Sequence, residues 1–181
     1  MARNQFKKHL DIFVKNKRQT VLIERKDDFY YISEGFTLLR LPAVYYEVLA
    51  RPVNPLFIHL ENGQCATRQP RETLPELNPG KIGQLVNIWD RTKAENPAKL
   101  SRVIVETDTG HARAVNVGKK IMLYNETYIT AMREYCGDDI HATADRFPVL
   151  KWEDPTGTGC MVLGINNAAA LDSIRIVGGM I

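Results

Sequence analysis

The chain has 181 residues, 44% of them hydrophobic and 25% charged, and its formal net charge at pH 7 is +3. This balance predicts one globular domain or two small ones, with enough apolar material for a core. No stretch approaches the roughly 20 apolar residues of a membrane-spanning helix, so a membrane partner is not expected.

Three widely spaced cysteines, Cys65, Cys136 and Cys160, form no CxxC motif. The basic, amphipathic N-terminal sequence also lacks the apolar core of a secretory signal. We therefore expect reduced thiols in a cytoplasmic protein.

Charge is distributed unevenly along the chain. Residues 1–26 hold eight basic and two acidic side chains, whereas residues 134–181 hold seven acidic and three basic ones. Such asymmetry favours an anionic partner at one end of the chain, or head-to-tail contact between copies. An ordinary solvated surface is the alternative explanation.

The first half predicts a helix, three strands, a second helix and a further strand. Phe6, Leu10 and Phe13 form a helical apolar stripe. Strands are expected in the sequences TVLIER, DDFYYIS and FTLLRL. Pro42 suits the first turn of a short helix, PAVYYEVLA. LFIHL, at residues 56–60, predicts a strand that runs into the hairpin signal NG.

Residues 69–80 are the best candidate for a linker, because the segment is proline-rich and has little apolar periodicity. An ordered crossover that packs against either half is the alternative. We predict a first, shorter unit at residues 1–68 and a second unit at residues 81–181.

The second half repeats the same types of element. Ile82, Leu85 and Trp89 belong to an i, i+3, i+4, i+7 pattern that predicts a buried helix face. Strands are expected in SRVIVETD, HARAVNV and KKIMLY, and Asn125 is the predicted cap of a following helix. DDIHATA, FPVLKW and GCMVLGI complete the set, with EDPTGTG as the turn between the last two.

Helix, three strands, helix and strand therefore recur in one order. VLIE at residues 21–24 aligns with VIVE at residues 103–106, and Gly35 aligns with Gly118 one residue out of step. The recurrence predicts a duplicated unit, with chance similarity between amphipathic segments as the alternative. The predicted fold is α+β, with two related helix–strand units of two helices each and mainly antiparallel sheets.

This unit resembles the building block of DNA sliding clamps, the processivity rings of bacterial replicative polymerases. The similarity is carried mainly by residues 121–165: a strand, a polar turn, a Tyr-bearing helix, a D-x-I strand, a Pro-containing strand, an acidic turn and a final apolar strand. The positions that match this pattern are Asn125, Tyr128, Met132, Asp139, Ile140, Pro148 and Val149. The first half matches more weakly.

The resemblance implies helices that share one face and sheets on the outside. In clamps, basic side chains on the inward helices contact the phosphates of double-stranded DNA without reading its sequence. The corresponding candidates are Lys7, Lys8, Lys15, Lys81, Arg91 and Arg133. The chain is shorter than a clamp subunit, so a ring requires more copies or does not close.

No catalytic constellation stands out in the sequence. The four histidines have no metal-ligand spacing, and GxSxG and SxxK are absent. DPTGTG lacks the Lys-Ser/Thr of a phosphate loop, so a hairpin turn is predicted there. We expect no cofactor, no metal and no enzymatic activity.

The leading hypothesis is a non-enzymatic DNA-associated or replication-accessory protein, from a phage or mobile element, that acts as a homo-oligomer. A protein-interaction or structural module of the same fold that binds no DNA is the alternative. An enzyme whose site forms between copies is a third hypothesis. The C-terminal sequence LDSIRIVGGMI predicts an edge strand that pairs with its own sheet or with another copy.

Overall fold

The computed structural model describes residues 7–50, 58–108, 110–136, 139–146 and 148–165, without the side chains of residues 49, 50 and 135. The predicted strand in LDSIRIVGGMI lies outside these residues. Contacts divide the chain into two compact units. The first unit holds Met1–Thr92 and Glu153–Met161, and the second unit holds Lys93–Trp152 and Val162–Ile181.

The first unit begins with a helix and a three-stranded meander. Its elements are α1 (Lys7–Lys15), β1 (Val21–Lys26), β2 (Phe29–Ser33), β3 (Thr37–Pro42), α2 (Ala43–Ala50), β4 (Cys65–Arg68), β5 (Glu76–Leu77), a 3₁₀ turn (Pro79–Lys81) and α3 (Gln84–Arg91). The first five confirm the predicted helices and strands.

The strand predicted at residues 56–60 is wrong in its described part, residues 58–60. The backbone of Leu60 bonds to side chains instead of to a neighbouring strand. Tyr30 Oη donates to the Leu60 carbonyl and accepts from the Leu60 N–H, at 3.1 and 3.0 Å. Arg25 also donates to that carbonyl, at 2.7 Å. Strand pairing begins beyond the Asn62-Gly63 turn, at β4.

The following elements complete the described chain: β6 (Asn96–Thr107), β7 (Gly110–Val117), β8 (Lys120–Asn125), α4 (Glu126–Cys136), β9 (Ile140–Ala142), β10 (Leu150–Glu153), β11 (Gly159–Val162) and β12 (Gly164–Ile165). Asn125 is confirmed as a cap, because its side-chain oxygen accepts from the Thr127 N–H at 2.9 Å. The predicted strand GCMVLGI is interrupted at Leu163, so β11 pairs with β3 and β12 pairs with β8.

The strand order is the same in both units. The first unit has the order β11-β3-β2-β1-β4-β5, and the second has β12-β8-β7-β6-β9-β10. In each, three consecutive strands form an antiparallel meander, and the strand after the next helix returns beside the first strand of that meander. The α+β class with mainly antiparallel sheets is therefore confirmed.

The described α-helices are divided unequally, which corrects the prediction of two helices per unit. The first unit contains α1, α2 and α3, and the second contains α4. Helix α3 was expected to open the second unit, but it packs against β1 and β2. Its Trp89 ring meets Tyr31 edge-on, with the centroids 6.4 Å apart. The contacts thus group residues 69–92 with the first unit, unlike the predicted boundary at residues 69–80.

The register of the first sheet decides which helix covers which face. Ile23 pairs with Ile32 and Ile32 pairs with Leu39, so all three lie on one face. Glu24 pairs with Tyr31, so this pair lies on the opposite face. Helices α1 and α2 cover the first face, and α3 covers the second.

The side chain of Glu24 on β1 binds the N-terminal end of α3. Its carboxylate is 2% exposed and accepts hydrogen bonds from the backbone N–H groups of Gly83 and Leu85, the latter at 2.9 Å. A longer bond comes from the Val86 N–H, at 3.4 Å. The first N–H groups of a helix have no partner within the helix, and their partial positive charge favours an anion. A buried carboxylate is thereby compensated by a helix end.

We predict that Glu24→Gln destabilises the fold by about 1–3 kcal/mol, because an amide removes the charge and turns a donor towards the helix N–H groups. Urea unfolding followed by circular dichroism measures the change. The matched control is Glu76→Gln on the exposed strand β5, for which less than about 0.5 kcal/mol is expected. Equal stability of Glu24→Gln and the native chain would contradict the anchoring role.

His9 couples α1 to the first sheet through a chain of hydrogen bonds. Its Nε2 lies 2.8 Å from Thr37 Oγ1, and that hydroxyl donates to the Met161 carbonyl at 2.7 Å. Because the Thr37 hydroxyl donates its hydrogen to Met161, it must accept the hydrogen bond from His9. The neutral imidazole therefore carries its hydrogen on Nε2. The imidazole is fully buried, and burial lowers its pKa from 6.5 to about 3.

This shift predicts that stability decreases in mild acid. Above pH 6.5 the imidazole is neutral whether the chain is folded or unfolded. Between pH 6.5 and about 3 the unfolded chain takes up a proton that the folded chain does not. The free energy of unfolding therefore decreases as the pH falls through this range, because of His9, with a limiting slope of about 1.4 kcal/mol per pH unit.

Unfolding free energies at pH 7.5, 6 and 5 test this expectation. His9→Gln keeps a side-chain donor for Thr37 and should flatten the profile between pH 6 and 5. His111→Gln, at an exposed position on β7, should keep the steeper native profile. Parallel profiles for native protein and His9→Gln would show that His9 does not cause the dependence.

In the second unit, Arg113 on β7 holds the first residue of α4. Its guanidinium makes two hydrogen bonds to the Glu126 carboxylate, at 2.6 and 2.5 Å, and one to the Ser101 carbonyl at 2.8 Å. Burial opposes ionisation of Glu126, but hydrogen bonds from Arg113 and Thr130 and the Arg113 charge outweigh it, so the pKa is lowered. This paired geometry places the start of α4 over its sheet.

Candidate nucleic-acid interface

Helix α1 presents lysines outward because its other side is buried. His9, Leu10 and Phe13 are 0–5% exposed and face the first sheet. Lys7, Lys8 and Lys15 lie off this stripe and are exposed. Three of the six residues predicted to contact DNA thus lie on the outer side of one helix.

The C-terminal end of α1 is held by Arg68 from β4. One guanidinium nitrogen donates to the carbonyls of Phe13 and Asn16, at 3.1 and 2.8 Å. The residue is 2% exposed, and burial lowers its pKa, although a guanidinium stays protonated at neutral pH. A cation at a helix C-terminus is favourable because it satisfies free carbonyls that carry partial negative charge.

Three other predicted contact residues are exposed but lie elsewhere. Lys81 ends the 3₁₀ turn, and Arg91 ends α3. Since α1 and α3 cover opposite faces of the first sheet, Arg91 does not share a surface with the α1 lysines. Arg133 lies on α4 of the second unit. The expectation that helices α1 and α3 line one common basic face is therefore wrong.

A second group of basic residues lies at the end of α1, and sequence reasoning did not select it. Lys17 and Arg18 occupy the turn after the helix, and the N–H of Arg71 donates to the Lys17 carbonyl at 2.9 Å. All three side chains are exposed. No local signal links Arg71 to Lys17, because the pairing of β1 with β4 creates this proximity.

The opposite face of the first sheet has an arginine enclosed by aromatic rings. The Arg40 guanidinium lies 3.9 Å from the centroid of Phe29 and 5.5 Å from that of Trp89. It also pairs with Glu153 at 2.8 Å. This arginine is therefore used within the fold, as a cation on aromatic faces and as an ion-pair partner.

The DPTGTG segment is confirmed as a turn between two strands. Asp154 Oδ1 accepts from the N–H groups of Thr156 and Thr158, at 2.8 and 3.0 Å. Gly157 has a φ of +82°, and a Cβ built on it would lie 3.0 Å from the end of the Phe29 ring. The turn therefore packs directly on Phe29, and the ring of Phe29 also contacts the Arg40 guanidinium.

We predict that Gly157→Ala destabilises the protein by about 1–3 kcal/mol more than Gly63→Ala. Both glycines have a φ near +80°, so the backbone cost of alanine is matched. A Cβ at Gly63 meets nothing within 4 Å, whereas one at Gly157 crowds Phe29. Thermal unfolding of the two variants measures the difference, and equal melting temperatures would contradict the packing of this turn.

Within the described ranges, no three His, Cys, Asp or Glu side chains are grouped as a metal ion would require. Cys65 is buried, and burial raises the pKa of its thiol to about 11. None of the described helices is long and apolar enough to span a membrane. No family model, curated protein or solved structure matches the chain.

Proposed function

We propose that the protein is a non-enzymatic, cytoplasmic DNA-associated or replication-accessory protein that contacts the phosphates of double-stranded DNA through α1. The observation that carries this proposal is the exposure of Lys7, Lys8 and Lys15 on a helix whose opposite side is buried. The contact is restricted to the α1 face, because α3 packs on the other side of the first sheet.

A clamp-like scaffold is part of the proposal. Its support is the identical strand order of the two units, in which a meander is followed by a helix and a returning strand. Two units with one topology are expected from duplication of an ancestral segment. The unequal division of helices is a departure from the clamp pattern, so a ring is not required for the proposed contact.

The contact should be electrostatic and independent of DNA sequence. Lysines on a helix surface bind phosphate oxygens and carry no information about bases. Affinity for duplex DNA should therefore be in the range of about 10⁻⁴–10⁻⁶ M at physiological salt and should decrease steeply as salt is added. The buried anchors of α1 limit its movement, so little ordering is required on binding.

The test is charge reversal of Lys7, Lys8 and Lys15 to Glu, with binding to a 20-base-pair duplex followed by fluorescence anisotropy. We expect weaker binding at every salt concentration and a salt slope reduced by about 2–3, since each lost phosphate contact removes about 0.9.

The matched control replaces Lys99, Lys119 and Lys120 by Glu. These lysines are exposed in the second unit, and their replacement changes the net charge by the same amount. This control should bind more tightly than the α1 variant. Equal loss in both variants would show that net charge alone drives association. Unchanged binding in the α1 variant would reject the α1 interface.

The alternative is a protein-interaction module of the same fold that binds no DNA. The observation that favours it is the exposure of Val44 and Val48, at 64% and 40%, on α2, which covers the same sheet face as α1. Apolar side chains one helical turn apart are typical of a helix that packs against a partner. This alternative expects a defined homo-oligomer by light scattering, dissociated by Val44→Ser with Val48→Ser, and no binding to the duplex.

A further inference from the structure

We propose that the phosphate-binding surface extends from α1 across the following turn onto Arg71, so that Lys15, Lys17, Arg18 and Arg71 act as one basic cluster on duplex DNA. This inference rests on the proposed function and adds residues that the clamp resemblance does not select. It assigns a specific contact to a segment that the sequence marked as a linker.

Two hydrogen bonds to main-chain carbonyls, one from a backbone N–H and one from a side chain, hold the two parts of the cluster together. The N–H of Arg71 donates to the Lys17 carbonyl at 2.9 Å, and Arg68 donates to the Asn16 carbonyl at 2.8 Å. The Asn16 side chain is bonded in turn to buried Glu34. The cations are therefore carried on a fixed backbone, although Arg71 is separated from α1 by the whole of the meander and α2.

The exposed carboxylate of Glu72 lies next to Arg71 in the chain. In the described part of the chain, however, none of the four cationic side chains is within ion-pair distance of a carboxylate. Glu72 accepts the Gln69 N–H at 3.0 Å, and Glu34 is buried against Asn16. Asp11 is the nearest acid along α1, one turn before Lys15, and it is only partly exposed.

Arg71 occupies an unusual backbone conformation. Its φ is +70°, a left-handed value that glycine adopts freely and that costs other residues about 1 kcal/mol or more. Strained residues of this kind occur preferentially at functional sites. The guanidinium of an arginine presents five donors in a fork that fits two phosphate oxygens, so Arg71 is chemically suited to the proposed contact.

The composition of the surface favours DNA over an acidic polypeptide. Protein interfaces are centred on exposed apolar or aromatic side chains. Residues 15–20 and 69–72 contain no exposed large hydrophobic side chain. Four exposed cations among polar side chains, with Glu72 as the acid in these two segments, are complementary in charge to a line of phosphates, so we assign the duplex backbone as the partner.

Arg71→Gly tests the inference and should leave folding intact, because glycine relaxes the left-handed backbone. We expect duplex binding about threefold to tenfold weaker at low salt, with a salt slope reduced by about 1. Arg71→Lys keeps the charge and should preserve the slope. Arg102→Gly removes an exposed arginine from the second unit and should bind more tightly than Arg71→Gly. Thermal unfolding checks that each variant is folded.

The outcomes separate this inference from the proposed function. If the α1 lysine variant weakens binding and Arg71→Gly does not, the α1 interface stands and the extension is overturned. If neither variant has an effect, the α1 interface and its extension are both rejected.

Binding of a polyglutamate peptide is the remaining comparison. If it binds as tightly as the duplex, with the same dependence on Arg71, the cluster recognises acidic polypeptides and the DNA assignment is overturned.

Discussion

Two buried charges, each held at the end of a helix, organise the first unit. Glu24 on β1 accepts the N–H groups at the start of α3, and Arg68 on β4 donates to the carbonyls at the end of α1. A buried charge without a partner costs several kcal/mol, and each helix end supplies the opposite partial charge. The strands are neighbours, since Val21 pairs with Arg68 and Glu24 with Cys65. Adjacent strands therefore fix helices on opposite faces of one sheet.

This arrangement has a direct consequence for surface chemistry. The face covered by α1 presents lysines to solvent, and the turn after α1 adds further basic residues there. On the face covered by α3, the prominent cation is Arg40, which lies against Phe29 and is paired with Glu153. The lysines of α1 differ from Arg40 in their exposure, and the proposed contact with DNA phosphates is based on that exposure.

The two units have one strand order, but different polar contacts join their helices to their sheets. In the first unit, buried charges and the His9–Thr37–Met161 chain join helix to sheet. In the second, the two-pronged contact of Arg113 with Glu126 places α4. One strand order is therefore stabilised by two sets of polar contacts. This is expected when the order follows from antiparallel pairing of successive strands and the contacts follow from individual side chains.

Local sequence patterns were sufficient to predict most of the described helices and strands. The apolar stripe through Leu10 and Phe13 predicted α1, and Asn125 predicted the start of α4. The same patterns placed three lysines on the polar side of α1, because a buried stripe leaves the opposite side of a helix to solvent.

Tertiary structure alone decided which elements pack together. The segment at residues 58–60 is not a strand, because Tyr30 and Arg25 satisfy the backbone of Leu60. The apolar face of α3 indicated burial but could not indicate which sheet buries it. The pairing of β1 with β4 brings the backbone of Arg71 next to that of Lys17, although the two residues are far apart in the chain. Periodicity is a property of neighbouring residues, whereas partner choice depends on long-range pairing, which leaves no local pattern.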